Sequence, residues 1–286
     1  MSSTNINGSF KALTRASWDR AATAWNDQNP LIRAWLAPAT EMMLNNAQLR
    51  LGDHVLDIAA GAGDQTVDAA IRVGDGGLVL ATDISAQILQ FAQIRAQACG
   101  LSNVHCKLAD AEDLQLQGQL FDAAICRLGL MFCPNPAAAL AQVRASLRPG
   151  GRFSVIVFGE PGANPCIRLS MATAMQHAGL PAADPFAPGS LCSLARPGQL
   201  EQLFRDAGFD KVRSQTVSAP IRLATTQDYV AFIRSAASPI QQIVDRLSVN
   251  AQHDVWRDMT DRLSVFQQPN GWEGPNELLL CCGTMA

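Results

Sequence analysis

Residues 55–66 read Val-Leu-Asp-Ile-Ala-Ala-Gly-Ala-Gly-Asp-Gln-Thr, and this stretch decides the fold. An apolar run ends in Asp57, the turn Gly61-Ala62-Gly63 follows, and a helical pattern starts near Gln65. The order is that of a buried parallel strand, a tight loop and a helix. Small residues let a ligand lie against the loop backbone, and the helix N-terminus beyond offers unpaired N–H donors. An acid at the strand end can accept from an ammonium or a ribose. Together these parts describe a nucleotide-type pocket.

Two nucleotide patterns compete. A dinucleotide site, as in an NAD-dependent oxidoreductase, wants G-x-G-x-x-G and an acid roughly 20 residues on. Gly61 and Gly63 supply the first two glycines, but Thr66 stands at the third. An S-adenosylmethionine site has an acid closing the first strand and a loop resembling G-x-G-x-G. Asp57 and the run Ala59-x-Gly61-x-Gly63 follow that pattern, with alanine for the first glycine. The backbone at Ala59 need not have positive φ, which makes the alanine a mild departure. A tight turn without a ligand is the plain alternative.

The next segments add acids at matching places. Leu78 to Thr82 is a second apolar strand closed by Asp83, and Ser85 suits the cap of the helix that follows. Ile88, Leu89, Ala92, Ala96 and Cys99 recur at helical spacing before the stop at Gly100. A third strand, Val104 to Leu108, leads into Asp110-Ala111-Glu112-Asp113. A fourth begins at Phe121-Asp122 and runs through Cys126. A helix with Leu140, Val143 and Leu147, the turn Arg148-Pro149-Gly150-Gly151 and a fifth strand, Phe153 to Phe158, complete the series.

From about Asp53 to Phe158 the chain resembles the class I S-adenosylmethionine-dependent methyltransferases, nearest the ubiquinone/menaquinone-biosynthesis C-methyltransferase-like group. The match is carried by Val55 to Asp64, Ala81 to Ser85, Ala109 to Leu114, Phe121 to Met131 and Leu147 to Arg152. The resemblance implies a doubly wound, mostly parallel, seven-stranded Rossmann-like α/β sheet with a helical cap over the carboxyl ends of the strands. It implies S-adenosyl-L-methionine as cofactor. Asp57, Ala59, Gly61 and Gly63 would then approach the methionine moiety, with Thr66 near the cofactor at the first helix. Asp83 and Ile84 would meet the ribose, and Asp110 with Ala111 the adenine. Arg127 stands where the quinone group often has a small polar residue; it either pairs with a nearby carboxylate or meets the ligands.

Composition agrees with a cytoplasmic enzyme. The 286 residues can bury a full core, and a net charge of −3 shows no bias toward nucleic acid. Charged residues make up 16%, below the roughly 25% usual for globular chains, so a partly apolar surface or a homodimer is expected. No apolar run approaches the ~18 residues of a membrane span, and the polar N-terminus lacks a signal-peptide core. Eight cysteines form no C-x-x-C pair, and the four histidines form no ligand motif, so no metal is expected. Cys126, Cys133 and Cys166 could converge, but buried free thiols are the ordinary reading.

The flanks are expected to hold the substrate. The sequence divides into an N-terminal helical cap (1–50), a cofactor core (51–158), a lid insertion (159–200) and a sheet-completing segment (201–286), all in one domain. That last segment carries strands near 209–223 and 276–284 and one or two helices over 226–266. Trp18 and Trp25 fall at helical spacing and either line the mouth or serve as core contacts. The lid is proline-rich and apolar, which suits a small, largely apolar acceptor. Methyl transfer to O or C of an aromatic, quinone-, polyketide- or lipid-like metabolite is the leading reading. Methyl-ester formation on an acyl carboxylate, with Arg127 or Arg168 gripping the oxygens, and a non-catalytic cofactor-binding protein are the alternatives. His177, in the lid, is the candidate base, with Arg127 as a second catalytic candidate.

Overall fold

The apolar runs at 54–58, 78–83, 121–127 and 147–158 form the buried strands of a parallel sheet, as continuous runs should, and a less buried strand at 104–108 forms its edge. The computed structural model describes residues 3–286. Two helices come first, α1 (Ser3–Asp27) and α2 (Asn29–Asn46), separated at Gln28 with Pro30 in the first turn of α2. Strand and helix then alternate: β1 (His54–Ile58), α3 (Asp64–Val73), β2 (Leu78–Asp83), α4 (Ala86–Ala98), β3 (Val104–Leu108) and β4 (Phe121–Arg127). Next come α5 (Pro136–Ala145), β5 (Leu147–Phe158), α6 (Pro165–His177), α7 (Gln199–Asp206) and β6 (Phe209–Ser218). The remaining elements are β7 (Ile221–Leu223), α8 (Thr226–Ala236), α9 (Ser238–Val244), α10 (Val249–Leu263), β8 (Gln267–Gln268), β9 (Gly271–Gly274) and β10 (Glu277–Met285).

The main sheet has the order β3-β2-β1-β4-β5-β10-β6. The first five strands are mutually parallel, and β10 runs antiparallel between β5 and β6. The order reverses at β1, between its neighbours β2 and β4. Ligands of open α/β sheets bind in the crevice at such a switch point, beyond the carboxyl ends of the strands. Ser85 caps α4 as expected, its hydroxyl accepting from Ile88 N at 3.2 Å.

Three features depart from the sequence reading. The strand expected over 209–223 divides at Ala219-Pro220, and β7 leaves the main sheet to pair with β9. Proline cannot donate to a ladder, so the division falls where the backbone donor is missing. Residues 226–263 form three helices rather than one or two. Pro239 starts α9 and the Ser248 side chain caps α10. A small sheet, β7-β9-β8, had no sequence signal, because β8 is two residues long and β9 is a Gly-Trp-Glu-Gly run. Trp272 of β9 is buried and stacks on Tyr229 of α8 at 4.3 Å, fixing this sheet to the helical cap.

Candidate functional site

The loop after β1 is built on left-handed backbone. Gly61 and Gly63 have φ of +57° and +83°. A Cβ at Gly63 would lie 2.7 Å from Cα of Ala92 on α4, so glycine lets the loop press against that helix. A Cβ at Gly61 would meet only Nε1 of Trp25, at 3.7 Å, so this glycine opens toward the space beneath α1. Ala59 corrects the sequence reading, because its φ is +52°. An L-residue there bears a cost of about 1–2 kcal/mol. Its methyl lies against Gly129, where a Cβ would come within 2.3 Å of it. The loop after β4 therefore needs glycine next to Ala59.

Asp57 lies under this loop rather than in the cleft. It is fully buried and accepts from Thr66 Oγ1 at 2.6 Å and Gln65 Nε2 at 3.2 Å. Burial pushes its carboxyl up to about 7, against the pull of those two donors. Asp57 and Thr66 thus brace the turn, while Ala59, Gly61 and Gln65 line the cleft.

Asp83 faces the cleft from the end of β2, beside Ile84. Its oxygens accept from Gly61 N at 3.0 Å and Ser85 N at 2.9 Å. Burial raises its carboxyl to about 6 despite the backbone donors of Ser85, Gly61 and Ile84. Each oxygen keeps a free lone pair for a ligand hydroxyl. Beyond β3, Asp110 and Ala111 form the next stretch of wall. Lys11 of α1 reaches both Asp110 (2.7 Å) and Glu112 (2.6 Å), which draws α1 across the opening. Trp18 and Trp25 of α1 line the cleft, packed edge to face at 5.5 Å, and Trp18 meets Phe132 at 5.7 Å.

Arg127 closes β4 and also lines the cleft. Its Nη1 donates to Asp64 Oδ2 and to Thr40 Oγ1, each at 2.8 Å. Asp64 takes a second pair from Arg33 at 2.7 Å. Burial alone would raise Asp64, but Arg127 and Arg33 outweigh it and hold the carboxyl below its usual range. Of the two readings of Arg127, the pairing with a carboxylate is present, to Asp64.

Past Arg127 the walls lose almost all polarity. Ile32, Trp35 and Leu36 of α2 and Phe158 at the end of β5 form one side. Ile167 and Met171 of α6 face Phe232 and Ile233 of α8 and Ile240 of α9. The two halves make one continuous cleft of about 1700 Å³, counting the part open to solvent. Tyr229 is the polar exception. Its buried hydroxyl has no hydrogen-bond partner; it lies near Ser170, which donates its own proton to the Cys166 carbonyl at 2.8 Å.

His177 stands apart. It closes α6 on the side facing α10, where Nε2 lies 2.9 Å from Asp258 Oδ2, and it does not line the cleft. Arg168 is exposed on α6 and is not a lining residue either. Of the three cysteines, only Cys133 lines the cleft. Burial pushes the Cys126 thiol up to about 12, and no group of three or more His, Cys, Asp or Glu among the described residues is placed to hold a metal ion.

Residues 49–182 match the methyltransferase domain family. A ubiquinone/menaquinone biosynthesis C-methyltransferase of Neisseria meningitidis is 33% identical over 185 residues, which cover 62% of this chain and 75% of that protein. The chain belongs to the class I S-adenosylmethionine-dependent methyltransferases. An uncharacterized protein of Mycobacterium tuberculosis is 33% identical over 147 residues, 51% of this chain, and the match spans about half (52%) of that relative's length. The YcgJ protein of Bacillus subtilis shares the fold with a TM-score of 0.59 at 18% identity, over 87% of this chain and 98% of that one.

S-adenosylmethionine fits the cofactor half on the chain's own features. Asp83 offers two partly used carboxylate oxygens at the switch point, Gly61 leaves the space that a side chain would fill, and the Asp110-Ala111 edge stands one strand further out. Lys11 and the identity of Asp64 as the partner of Arg127 carried no sequence signal of their own, since each partner lies on a separate element. The charge of a helix residue such as Lys11 ordinarily reads as a solvated face.

Proposed function

We propose that this protein transfers the methyl group of S-adenosylmethionine to an oxygen or carbon of a small, largely apolar metabolite of aromatic, quinone-, polyketide- or lipid-like character. The observation that carries this reading is the apolar chamber that continues from the cofactor half past Arg127. A concave, mostly apolar space with few polar groups suits such a molecule better than a sugar, nucleotide or peptide.

The bound cofactor supplies an electrophilic sulfonium methyl. The chain's own residues bind, orient and exclude water. Asp83 holds the ribose, and the Asp110-Ala111 edge holds the adenine. Trp18 and Trp25 cover the cofactor half from α1. Arg127, at the border of the two halves and fixed by Asp64 and Thr40, orients an oxygen of the acceptor. Orientation of this kind supplies several kcal/mol, up to roughly 7–11 in favourable cases.

No histidine lines the cleft among the described residues. Burial holds the Tyr229 phenol well above 10, and Asp64 is held by two arginines. The site therefore favours an acceptor whose reacting atom is ionised or strongly nucleophilic without help. An acyl carboxylate, giving a methyl ester, is the second reading, and Arg127 is the observation that favours it. A screen for S-adenosylhomocysteine release tests both, with quinols, phenols, polyketides and fatty acids set against amines, nucleosides and peptides. Turnover with the polar set alone would overturn the apolar-acceptor reading. Cofactor binding without turnover of any acceptor would favour a non-catalytic role.

A further inference from the structure

One lining residue of the apolar chamber also borders a second pocket. Trp35 of α2 lines the chamber together with Leu36, Phe158 and Ile221. The same residue lines a second pocket, formed with Ala34, Pro38, Ser218, Pro220 and Arg222. The indole thus stands between the apolar chamber and a mostly polar outer pocket, where Ala34, Pro38, Ser218 and Arg222 are exposed, so the length it would release is first the volume of the indole itself. It is 8% exposed and packs obliquely against Phe158, with ring centroids 6.3 Å apart. Its Nε1 donates to the Ala219 carbonyl at 2.7 Å, in the link between β6 and β7. That bond ties the indole to the point where the chain leaves the main sheet.

The backbone behind the indole is weakened at the same place. Pro38 lies inside α2 and has no N–H for the carbonyl of Ala34, four residues earlier. Both residues line the outer pocket. The turn carrying Trp35 therefore lacks one helical hydrogen bond, and the Ala219 contact holds the indole from the opposite side.

We propose that Trp35 is a partition that fixes how long an apolar acceptor the chamber admits, with the outer pocket as unused length behind it. This rests on the apolar-acceptor reading above. Each methylene buried in the chamber strengthens binding about fourfold. A chain that has reached Trp35 gains nothing from further methylenes, because they must stay in water or displace a hydrogen-bonded indole. Shortening residue 35 joins the two spaces and moves the limit outward.

The probes are straight-chain saturated fatty acids from hexanoic to palmitic acid, titrated by calorimetry into the full chain with S-adenosylhomocysteine present. For the unsubstituted protein, affinity is expected to climb with length and then level off. In Trp35→Ala the climb continues for at least two more methylenes, a gain of roughly tenfold or more for the longest acids. Trp35→Phe keeps the bulk without the Ala219 bond and keeps the original limit. Trp35→Leu carries the expectation of the alanine variant if that variant fails to fold. Adding Ala34→Trp, which fills the outer pocket from an exposed position, restores the limit in the Trp35→Ala protein. A limit unchanged in both Trp35→Ala and Trp35→Leu, with native circular dichroism, overturns the partition and leaves the apolar-acceptor reading standing. No binding of any acid to any of the proteins overturns the partition together with the acyl-carboxylate reading, while quinol and phenol turnover in the screen above decides the leading reading.

Discussion

Replacing Asp83 with alanine is expected to remove most of the protein's affinity for S-adenosylmethionine while leaving the sheet in place. The carboxylate already accepts from Gly61 N and Ser85 N, and its remaining lone pairs face the cleft. A hydrogen bond to a charged group contributes roughly 1.5–3 kcal/mol, so losing one weakens binding about 10- to 150-fold. The same group sets a pH dependence. Burial raises its value from 3.8 to about 6 in the free protein. Ribose hydroxyls donating to the carboxylate favour the ionised form, so the bound value lies lower. Affinity should therefore be flat above pH 6 and fall as pH drops below it, by up to about tenfold per unit. Calorimetric titration of S-adenosylhomocysteine from about pH 5 to about pH 8 reads both effects, with circular dichroism as the control for folding. Equal affinity in Asp83→Ala, or an affinity for the unsubstituted protein that does not change with pH, would refute the reasoning.

Gly63→Ala meets both a left-handed backbone and the Ala92 main chain, and should destabilise by roughly 2–4 kcal/mol; an unchanged urea midpoint would contradict it. Gly61→Val, which points at Trp25 rather than at backbone, should instead lower S-adenosylhomocysteine affinity at least about tenfold with the secondary structure kept; normal binding would exclude this loop as the cradle. Asp57 is raised from 3.8 to about 7, so its favourable contribution is fully present below 3.8 and is lost as pH rises through 7. Asp57→Asn should flatten that slope, which is worth on the order of 4 kcal/mol, and urea unfolding at several pH values would show whether it does. Arg127→Gln removes a buried charged hydrogen bond to Asp64, which Arg33 still pairs, at a cost of roughly 1.5–3 kcal/mol in stability. It should lower acceptor turnover while S-adenosylhomocysteine affinity is kept; turnover equal to that of the unsubstituted protein would remove Arg127 from acceptor orientation.

The parallel half of the sheet was legible because its inner strands β1, β2, β4 and β5 are continuous buried runs, and because acids mark the ends of the first three strands: Asp57, Asp83 and the Asp110 cluster after the partly exposed edge strand β3. Ser85 announced its own cap. The positive φ of Ala59 was not legible, since alanine gives no sign of it and the glycine that makes room for its methyl, Gly129, lies on another loop. His177 read as a lid residue because sequence places it on a helix beside the site without saying which face it takes. Packing turns it toward Asp258 of α10. The small sheet stayed hidden because a two-residue strand has no periodicity. Trp35 carries no local sign of its role. Its partner is a carbonyl in the link after β6, which no local pattern can reveal.

A crystal structure of the protein with bound S-adenosylhomocysteine tests the two-part cleft most directly. The expected result has the ribose hydroxyls on Asp83, the adenine beside Asp110 and Ala111, and the sulfur end open toward the apolar chamber beyond Arg127. Density for the ligand elsewhere, or a sulfur end walled off from that chamber, would contradict it.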